Sequence, residues 1–266
     1  MKISIITVSY NSESTIAETI ESVLSQSYQD FEYLIIDGLS HDGTVDIIKK
    51  YEPKFNGRLH WVSHKDKGIY DAMNKGIQMA KGDIIGIINS DDFYMNDKVL
   101  ENVIDGFERK NVDSLYTDLY LVDPVETNKI IRNCRYREFK KGLFFKGWHP
   151  PHPAFFVKKS IYDKYGSFDL SYKIAADYEF MLRVLEKYAI TTVYLPIHTI
   201  KMRNGGVSTT SIDQIKLSQE ECLLAFKKNG LQINKLRYFI GKYIQKIRQY
   251  SFKSLVLDLM SKKLLL

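Results

Sequence analysis

The stretch that decides the fold is GDIIGIINSDDFYMNDKVLENV, residues 82–103. Its four isoleucines, with one glycine among them, are typical of a strand that is buried on both faces. The polar run NSDD (89–92) follows directly, and Asn96 or Asp97 is placed to cap a helix that starts near Lys98. In open α/β sheets, ligands bind in the crevice at the carboxyl ends of the strands. The stretch therefore predicts a strand, a ligand-binding turn and a helix.

Two adjacent carboxylates, Asp91 and Asp92, end this strand. They repel each other and lose solvation unless a cation joins them, although a plain turn with a helix cap is the alternative. The sequence contains neither GxGxxG nor GxxxxGK[ST], so no glycine-rich loop is available to bind a diphosphate. Mg²⁺ or Mn²⁺, which prefer oxygen ligands and bridge phosphates, would neutralise the diphosphate instead.

Apolar patterning predicts alternating strands and helices in the first half and a different order afterwards. Strands are predicted at 3–8, 31–36, 59–62 and 83–88, with helices at 16–24, 44–51 and 70–80 between them. This order predicts a mostly parallel sheet with right-handed crossovers. Beyond it we expect antiparallel strands at 114–122 and 129–137, a strand at 154–157, a helix over 176–188, a short strand at 191–195, and helices over 212–228 and 235–265.

Composition and charge limit the class of protein. The chain has 266 residues, 44% of them hydrophobic and 26% charged, which is ordinary for a globular protein. Its two cysteines, Cys134 and Cys222, match no metal or disulfide pattern and suit a reducing cytoplasm. The start, MKISIITVSY, reads as a strand rather than a signal peptide, and no apolar run is long enough to span a bilayer.

The net charge of +6 is unevenly distributed. Residues 235–263 carry eight basic side chains against Asp258, a net +7, so residues 1–234 carry a net −1. A second basic cluster lies within 129–146. This distribution argues against a nucleic-acid partner, because the excess charge lies on amphipathic helices rather than among stacking aromatics.

The C-terminal helices have apolar side chains at helical spacing and basic side chains on the opposite face. Helices of this composition bind the interface of anionic membranes, so 235–266 is a candidate for peripheral membrane contact at the inner face of the cytoplasmic membrane. The alternative is that the apolar face packs on the catalytic domain or on a second copy in a homodimer.

Polar side chains follow each of the first four strands. They are Asn11, Asp37, Asp66, Asp91 and Asp92. Any one of them has an alternative role as a turn residue. Together, at the same edge of a parallel sheet, they predict a nucleotide site, since an aspartate beyond a strand can accept from a base N–H or a ribose hydroxyl.

Four segments in order resemble glycosyltransferase family 2. They are SIITVSYNSESTIAETIESVLSQSY (4–28), YLIIDGLSHDGTVDII (33–48), DKGIYDAMNKGI (66–77) and GDIIGIINSDD (82–92). The resemblance covers about residues 1–210 and, in its third segment, is close to the bacterial branch that builds exopolysaccharide, colanic acid and O-antigen. It implies inverting, metal-dependent transfer on a GT-A fold. The expected organisation is a nucleotide-sugar half (1–112), an acceptor half (113–210) and a helical extension (211–266).

The resemblance also implies roles for individual residues. It implies nucleotide contacts from Thr7, Val8, Tyr10, Asn11 and Asp37, ribose or phosphate contacts from Asp66, Lys67 and Asp91, and metal ligation by Asp92. The donor would be a nucleotide-diphosphate sugar, with a UDP-sugar favoured, and the acceptor a saccharide, in this branch one linked to polyprenyl diphosphate.

Two positions depart from the family pattern. The metal motif usually begins with aspartate, whereas this chain has Asn89, so the metal site would depend on Asp91, Asp92 and the diphosphate. Many relatives have a second aspartate where this chain has Gly38, which bears on the choice of nucleotide.

Inverting transfer requires a carboxylate that takes the proton of the acceptor hydroxyl. The stretch GSFDLSYKIAADYEFMLRVL (166–185) offers Asp169, Asp177 and Glu179. Asp177 lies in the first turn of the predicted helix, although a helix-start acid also has a purely structural use. The family's acidic pair occurs here as Ala176-Asp177, and this makes Asp177 the predicted base.

Two further candidates lie near the expected acceptor and diphosphate. His149 and His152 lack a third metal ligand, and the resemblance makes His152 a candidate for substrate contact. Arg203, with Gly205 and Gly206, could cover the diphosphate, or these glycines could form a plain turn. The alternatives to a transferase are a sugar nucleotidyltransferase and a non-catalytic nucleotide-sugar-binding protein.

Overall fold

The computed structural model describes residues 1–205 and 211–249. The strands are β1 (Ile3–Ser9), β2 (Phe31–Asp37), β3 (Leu59–Ser63), β4 (Ile84–Ile87), β5 (Phe93–Tyr94), β6 (Ser114–Val122), β7 (Ile130–Cys134), β8 (Phe155–Lys158) and β9 (Thr192–Arg203). The helices are α1 (Ile16–Leu24), α2 (Thr44–Tyr51), α3 (Ile69–Met79), α4 (Val99–Lys110), α5 (Lys159–Tyr165), α6 (Ala176–Leu182), α7 (Ile212–Lys228) and α8 (Lys235–Gln249).

These strands form one sheet in the order β3-β2-β1-β4-β8-β6-β9-β5, with β7 paired to β6. Strands β3, β2, β1 and β4 are mutually parallel, as the alternating pattern predicted. β8 is antiparallel to both β4 and β6, and β7 is antiparallel to β6. The predicted parallel half followed by an antiparallel portion is therefore confirmed.

The centre of the sheet is buried on both faces. Every residue of β1 and β2 is buried, which explains their nearly continuous apolar sequences. Alternate side chains enter two cores: Ile6 and Leu34 belong to one, and Ile5 and Ile35 to the other. Helices on both faces leave only the ends of the strands open to ligands.

The last strand is longer than the sequence pattern predicted. We predicted a short strand at 191–195, but β9 runs to Arg203 and pairs in parallel with β6 over its whole length. Its register shifts where Leu195 pairs with Thr117 and His198 with Asp118, so two extra residues form a bulge. Pro196 lies in that bulge, where its missing N–H costs no ladder hydrogen bond. The proline therefore interrupted the pattern without ending the strand.

Other boundaries also differ from the predictions. The strand predicted at 129–137 is shorter, the two-residue β5 and helix α5 were not foreseen, and the helix predicted over 176–188 is α6 followed by a π turn at Arg183–Lys187. Helix α4 has Lys98 at its N-cap position and no side-chain cap. The Asn96 side chain instead accepts a hydrogen bond from the Lys98 backbone at 2.9 Å, just before the helix.

The C-terminal helices pack on the core. α7 covers the predicted range 212–228, and α8 covers the first part of the predicted helix 235–265, whose residues from 250 onward lie outside the described residues. Gly241 of α8 lies directly on the backbone of Lys146, where no Cβ would fit. Among the helices of the described residues, none combines the length and the apolar character needed to cross a membrane.

Candidate active site

The carboxyl ends of three parallel strands bring Ser9, Asp37 and Ser63 into one row. Asp37 is fully buried and accepts hydrogen bonds from the hydroxyls of Ser9 at 3.1 Å and Ser63 at 2.6 Å. Ser40 adds its backbone N–H at 3.0 Å and its hydroxyl at 2.5 Å. Both oxygens of Asp37 are thus engaged, so its predicted contact with a base requires one of these hydroxyls to change partner.

The loop after β1 is tied to the loop after β2. The Asn11 backbone N–H donates to the Ser40 hydroxyl at 2.8 Å, and the Asn11 side chain accepts from the His41 backbone at 2.9 Å. Tyr10 beside it is exposed, and its ring lies against Gly38. An exposed aromatic ring next to Asp37 is suited to stack on a planar base.

Two predicted nucleotide contacts, Thr7 and Val8, have side chains inside the sheet. The Thr7 hydroxyl accepts from Tyr33 at 2.9 Å, and Val8 belongs to the core that also contains Leu34. The structure does not bring these two side chains to the open edge, so any contact they make with a nucleotide is through the backbone.

An acidic and basic cluster lies where α3 begins. Lys75 forms ion pairs with Asp66 and, at 3.3 Å, with Asp71. The hydrogen bond to Asp66 raises the pKa of Lys75. Lys67 is exposed and donates its backbone N–H to Asp71 at 3.0 Å. Sequence reasoning missed Lys75, although the spacing of Asp71 and Lys75, four residues apart in a helix, is a signal for such a pair.

The turn after β4 holds the adjacent carboxylates. Asp92 is 1% exposed and accepts from the Arg203 backbone at 3.1 Å and from the Asn89 amide at 3.3 Å. Burial raises the pKa of Asp91, while burial and the neighbouring Asp91 charge raise the pKa of Asp92 well above its usual range. Each carboxylate would therefore be stabilised by a nearby positive charge.

The residues of this turn fit a hard cation. The side-chain oxygen of Asn89 is buried and accepts no hydrogen bond, and it lies beside two carboxyl groups, Asp91 and Asp92, whose ionisation is disfavoured. Asp91 and Asp92 have no third acidic, histidine or cysteine partner here, since no group of three such side chains within residues 1–205 and 211–249 could hold a metal. Any bound cation would therefore need further ligands from outside the protein. Such a site suits Mg²⁺ or Mn²⁺, which bind through one or two carboxylates and complete their coordination with water and substrate phosphate.

Arg203 forms hydrogen bonds with residues of the acidic turn, the turn at 89–92 after β4. It is 8% exposed, and its guanidinium donates to the backbone carbonyls of Asp91 and, at 3.3 Å, of Pro124, and to the Glu18 carboxylate. These bonds use three of the five N–H groups of the guanidinium, one on each nitrogen, so a predicted contact with a diphosphate would have to use the other two. Gly205 has a positive φ of 118° and open space around its Cα, and Gly206 lies outside the described residues.

Asp177, the predicted base, lies in the first turn of α6 and is partly exposed. The single hydroxyl hydrogen of Tyr70 is shared between Asp177 Oδ1, at 3.0 Å, and the backbone carbonyl of Ile174. Burial and the Asp177 charge raise the pKa of Tyr70, so this hydroxyl remains a proton donor. The segment His152–Ala154 packs against both β4 and α6 and so joins the helix that carries Asp177 to the strand that precedes residues 89–92.

Two histidines lie near Asp177. Burial lowers the pKa of both His149 and His152, and the Asp177 charge opposes that shift in each case. His149 Nδ1 lies 2.7 Å from the Pro150 carbonyl, and the His152 ring contacts Phe168 edge to face. His152, predicted to contact substrate, thus lies near Asp177 together with His149, and Tyr70 is a neighbour of Asp177 that sequence reasoning missed.

The other two candidate bases are occupied. Asp169 forms an ion pair with Lys228 at 2.8 Å. Glu179 is buried and forms an ion pair with Arg183 at 3.0 Å, and it accepts from the Asn229 side chain at 2.9 Å. Among the described residues, no lysine or arginine forms an ion pair with Asp177. Of the three acids, Asp177 is therefore the one that forms no ion pair in the part of the chain that the structure describes.

Comparison with known proteins gives one family. The model of the family described as "Glycosyl transferase family 2" matches residues 4–166. A PGL/p-HBAD biosynthesis glycosyltransferase of Mycobacterium bovis is 28% identical over 218 residues, 79% of this chain and 80% of that protein. An uncharacterized glycosyltransferase of Mycobacterium tuberculosis is 33% identical over 184 residues, 68% of each chain.

Solved structures share the fold. TarS 1–349 of Staphylococcus aureus in complex with UDP-GlcNAc matches with a TM-score of 0.65 at 19% identity, over 87% of this chain and 68% of that one. The mannosyltransferase PcManGT of Pyrobaculum calidifontis, in complex with GDP-Man and Mn²⁺, matches with a TM-score of 0.62 at 14% identity, over 98% and 79%. The predicted GT-A fold is confirmed.

Proposed function

The chain belongs to glycosyl transferase family 2 and is an enzyme of that class, and from this premise we propose that it transfers a sugar from a nucleotide diphosphate to an acceptor hydroxyl with inversion, Asp177 acting as the general base. The observation that carries the proposal is the Asp177 site: a partly exposed carboxylate that no cation neutralises within the described residues, oriented by the Tyr70 hydroxyl. Because the family and the enzyme class are shown, we set aside the two alternative functions, a sugar nucleotidyltransferase and a non-catalytic nucleotide-sugar-binding protein.

The neighbours of Asp177 leave one of its carboxylate oxygens available to accept a proton. Tyr70 holds Oδ1 at 3.0 Å, which leaves Oδ2 to accept the proton of the acceptor hydroxyl as that oxygen attacks the anomeric carbon. The half-buried histidines His149 and His152 have pKa values below the usual value of about 6.5, which favours their neutral form at pH ~7, so neither neutralises Asp177 as a cation. His152 is proposed to contact the acceptor.

The leaving group is proposed to lie at the acidic turn. Asn89, Asp91 and Asp92 would hold Mn²⁺ or Mg²⁺, which when bound supplies positive charge to the departing diphosphate. The turn is held rigid by Arg203 on one side and by the Thr19 hydroxyl, which donates to the Asp92 carbonyl at 2.7 Å, on the other.

We favour a UDP-sugar as donor. Two TarS structures contain UDP or UDP-GlcNAc, which supports this choice, whereas the PcManGT structure contains GDP-Man. The proposed nucleotide cleft comprises Tyr10, Asn11, Asp37 and Asp66, with Lys67 at its exposed margin and Asp91 toward the diphosphate.

The experiment compares Asp177→Asn with wild type. We expect the variant to lose about 10²- to 10⁴-fold in kcat, because a neutral amide does not take up the proton. Donor binding should persist, measured as the thermal shift with UDP, GDP, dTDP or CMP, each with and without Mn²⁺. Asp169→Asn is the matched control, and Asp92→Asn should abolish the metal-dependent shift. Near-normal turnover by Asp177→Asn would remove Asp177 from the mechanism.

We further propose that the acceptor is lipid-linked and that α8 contacts an anionic membrane surface. Tyr238 and Gly241 attach one face of α8 to the core. The other face exposes an apolar stripe: Leu236, Ile240, Tyr243, Ile244 and Ile247. The exposed lysines of the 129–146 cluster include Lys146, whose backbone contacts Gly241. An apolar stripe with basic neighbours fits anionic lipid and would hold the enzyme at the cytoplasmic face of the membrane.

A further inference from the structure

Glu221 of α7 is a buried carboxylate that accepts three hydrogen bonds from consecutive backbone N–H groups. Its Oε1 accepts from Lys173 at 2.8 Å, and its Oε2 accepts from Ile174 and Ala175, both at 2.9 Å. The side chain is 7% exposed. Successive backbone N–H groups that converge on one point form an anion site, and here a side chain from a distant helix fills it.

The three N–H groups belong to the segment that starts α6. The N-cap position of α6 is Ala175, which has no side-chain oxygen to accept from the first turn. A buried N–H group without an acceptor is destabilising, so these donors require a partner. Glu221 therefore supplies from α7 an acceptor for the N–H groups just before the helix, which an N-cap side chain would not serve because it accepts from the second or third residue of the helix.

The same segment is held from its other side by α3. The Tyr70 hydroxyl donates to the Ile174 carbonyl and to Asp177 Oδ1. Residues 173–175 thus lie between two fixed groups, Glu221 at their N–H side and Tyr70 at a carbonyl, and Asp177 follows two residues later. We infer that Glu221 is a positioning residue: it sets the segment 173–175 and thereby the direction of the Asp177 carboxylate. This inference rests on the proposed role of Asp177.

The attachment of α7 to α6 does not depend on Glu221 alone. Phe226 of α7 is fully buried and packs against Tyr178, at 6.3 Å between ring centroids, and against Tyr238 at 5.8 Å. Asn229 adds a hydrogen bond to Glu179 at 2.9 Å. These contacts keep α7 in place when the Glu221 charge is removed, so Glu221→Gln is expected to fold.

The test is Glu221→Gln beside Glu220→Gln, a neighbouring exposed glutamate on the same helix. Glutamine has one acceptor oxygen and presents an NH₂ donor to an N–H group, so at least one of the three hydrogen bonds is lost. We expect kcat to fall about 10- to 100-fold, since small misplacements of reacting groups have effects of this size. UDP affinity with Mn²⁺ should stay within about twofold, because the nucleotide cleft lies on other elements.

Hydrogen exchange supplies a readout that does not depend on turnover. The amides of residues 173–175 should exchange at least about tenfold faster in Glu221→Gln than in Glu220→Gln. Glu221→Asp, which keeps the charge but is one methylene shorter, should lie between wild type and Glu221→Gln in kcat, and it is the variant to use if the glutamine variant does not fold.

The outcomes separate this inference from the proposed function. Normal kcat in Glu221→Gln while Asp177→Asn is inactive would overturn the positioning role alone. A parallel loss of kcat, UDP affinity and melting temperature would show a general structural role and would also overturn it. Normal turnover in Asp177→Asn would overturn both the base and its positioning residue.

Discussion

The missing side chain of Gly38 shapes the proposed nucleotide cleft. This glycine follows Asp37 at the end of β2, and a Cβ there would lie 3.2 Å from Asp66 Oδ2 and 3.5 Å from the Tyr10 ring. The missing side chain leaves room for Asp66, which pairs with Lys75. A second aspartate at this position, as the family resemblance would suggest, competes with Asp66 for that lysine.

We predict that Gly38→Asp weakens UDP binding by about tenfold, equivalent to about 1.4 kcal/mol, because the new carboxylate repels Asp66 in the proposed nucleotide cleft. Gly38→Ala is the matched control and should stay within about twofold, since a few tenths of an ångström of movement in Asp66 accommodates its methyl group. Isothermal titration with UDP and Mn²⁺ measures both. Equal affinities for wild type and Gly38→Asp would place the nucleotide away from Asp66.

At the residue scale the sequence predicted which polar side chains lie at the sheet edge, but not their partners. Asp37 was expected to contact a base, and its oxygens are engaged by Ser9, Ser40 and Ser63. Two of these serines come from neighbouring strands, 26 and 28 residues away in sequence. Strand register decides such contacts, and a single strand's pattern does not contain it.

Helix α3 packs closely on the sheet because of one glycine. The helix carries Tyr70 and Lys75 at the site and lies on β1 and β2 through Gly76. A Cβ at Gly76 would lie 2.5 Å from Cγ2 of Ile6, which is fully buried. The glycine therefore sets how closely the helix approaches the sheet.

We predict that Gly76→Ala lowers the free energy of unfolding by about 1–2 kcal/mol. Alanine gains about 1 kcal/mol in helix propensity, but overpacking against a rigid β-branched neighbour costs about 1–3 kcal/mol, and the 2.5 Å approach puts this position at the costly end. Urea unfolding is the measurement. Gln78→Ala, an exposed position on the same helix, controls for propensity. Stabilisation by Gly76→Ala would mean that α3 can move away from the sheet freely.

Glu32 of β2 joins β1 to the segment before β4 at the amino-terminal end of the sheet, so we expect it to affect the stability of the whole molecule. It is buried, and it accepts from the Ser4 hydroxyl at 2.6 Å and from the backbone of Gly82 at 3.1 Å. Burial opposes ionisation, but the hydrogen bonds from Ser4, Lys81 and Gly82 and the Lys2 charge outweigh it, so the pKa of Glu32 is lowered.

Because the folded-state pKa of Glu32 is lowered, its contribution to stability is complete above the unfolded value of about 4.3 and is lost as the pH falls through the folded value. We predict that Glu32→Gln is less stable than wild type by about 1–3 kcal/mol at pH ~7, and that this gap narrows below pH ~4.3. Urea unfolding across this range is the measurement, and the exposed Asp30→Asn is the control. A gap independent of pH would show that Glu32 contributes only neutral hydrogen bonds.

The exposed face of α8 also acts at the scale of the whole molecule. We predict that Ile240→Ser with Ile244→Ser weakens binding to anionic phosphatidylglycerol vesicles at least tenfold, since each side chain loses about 1 kcal/mol or more of apolar burial. Vesicle sedimentation measures this, with neutral vesicles as the electrostatic control. Val125→Ser with Leu170→Ser removes exposed apolar surface elsewhere and should have no effect. Unchanged vesicle binding together with loss of a dimer in light scattering would assign the face to a second copy.

From the sequence came the run of parallel strands along the chain, the acidic turn after β4, the family and the segment proposed to carry the base, because these depend on local periodicity and on short motifs. Tertiary structure alone decided that Tyr70 orients Asp177, that Arg203 braces the acidic turn and that Glu221 accepts from residues 173–175. Each of these contacts joins residues between 46 and 112 positions apart. Such pairs depend on how helices and strands pack together, and the pattern along one segment carries no record of the partner it meets.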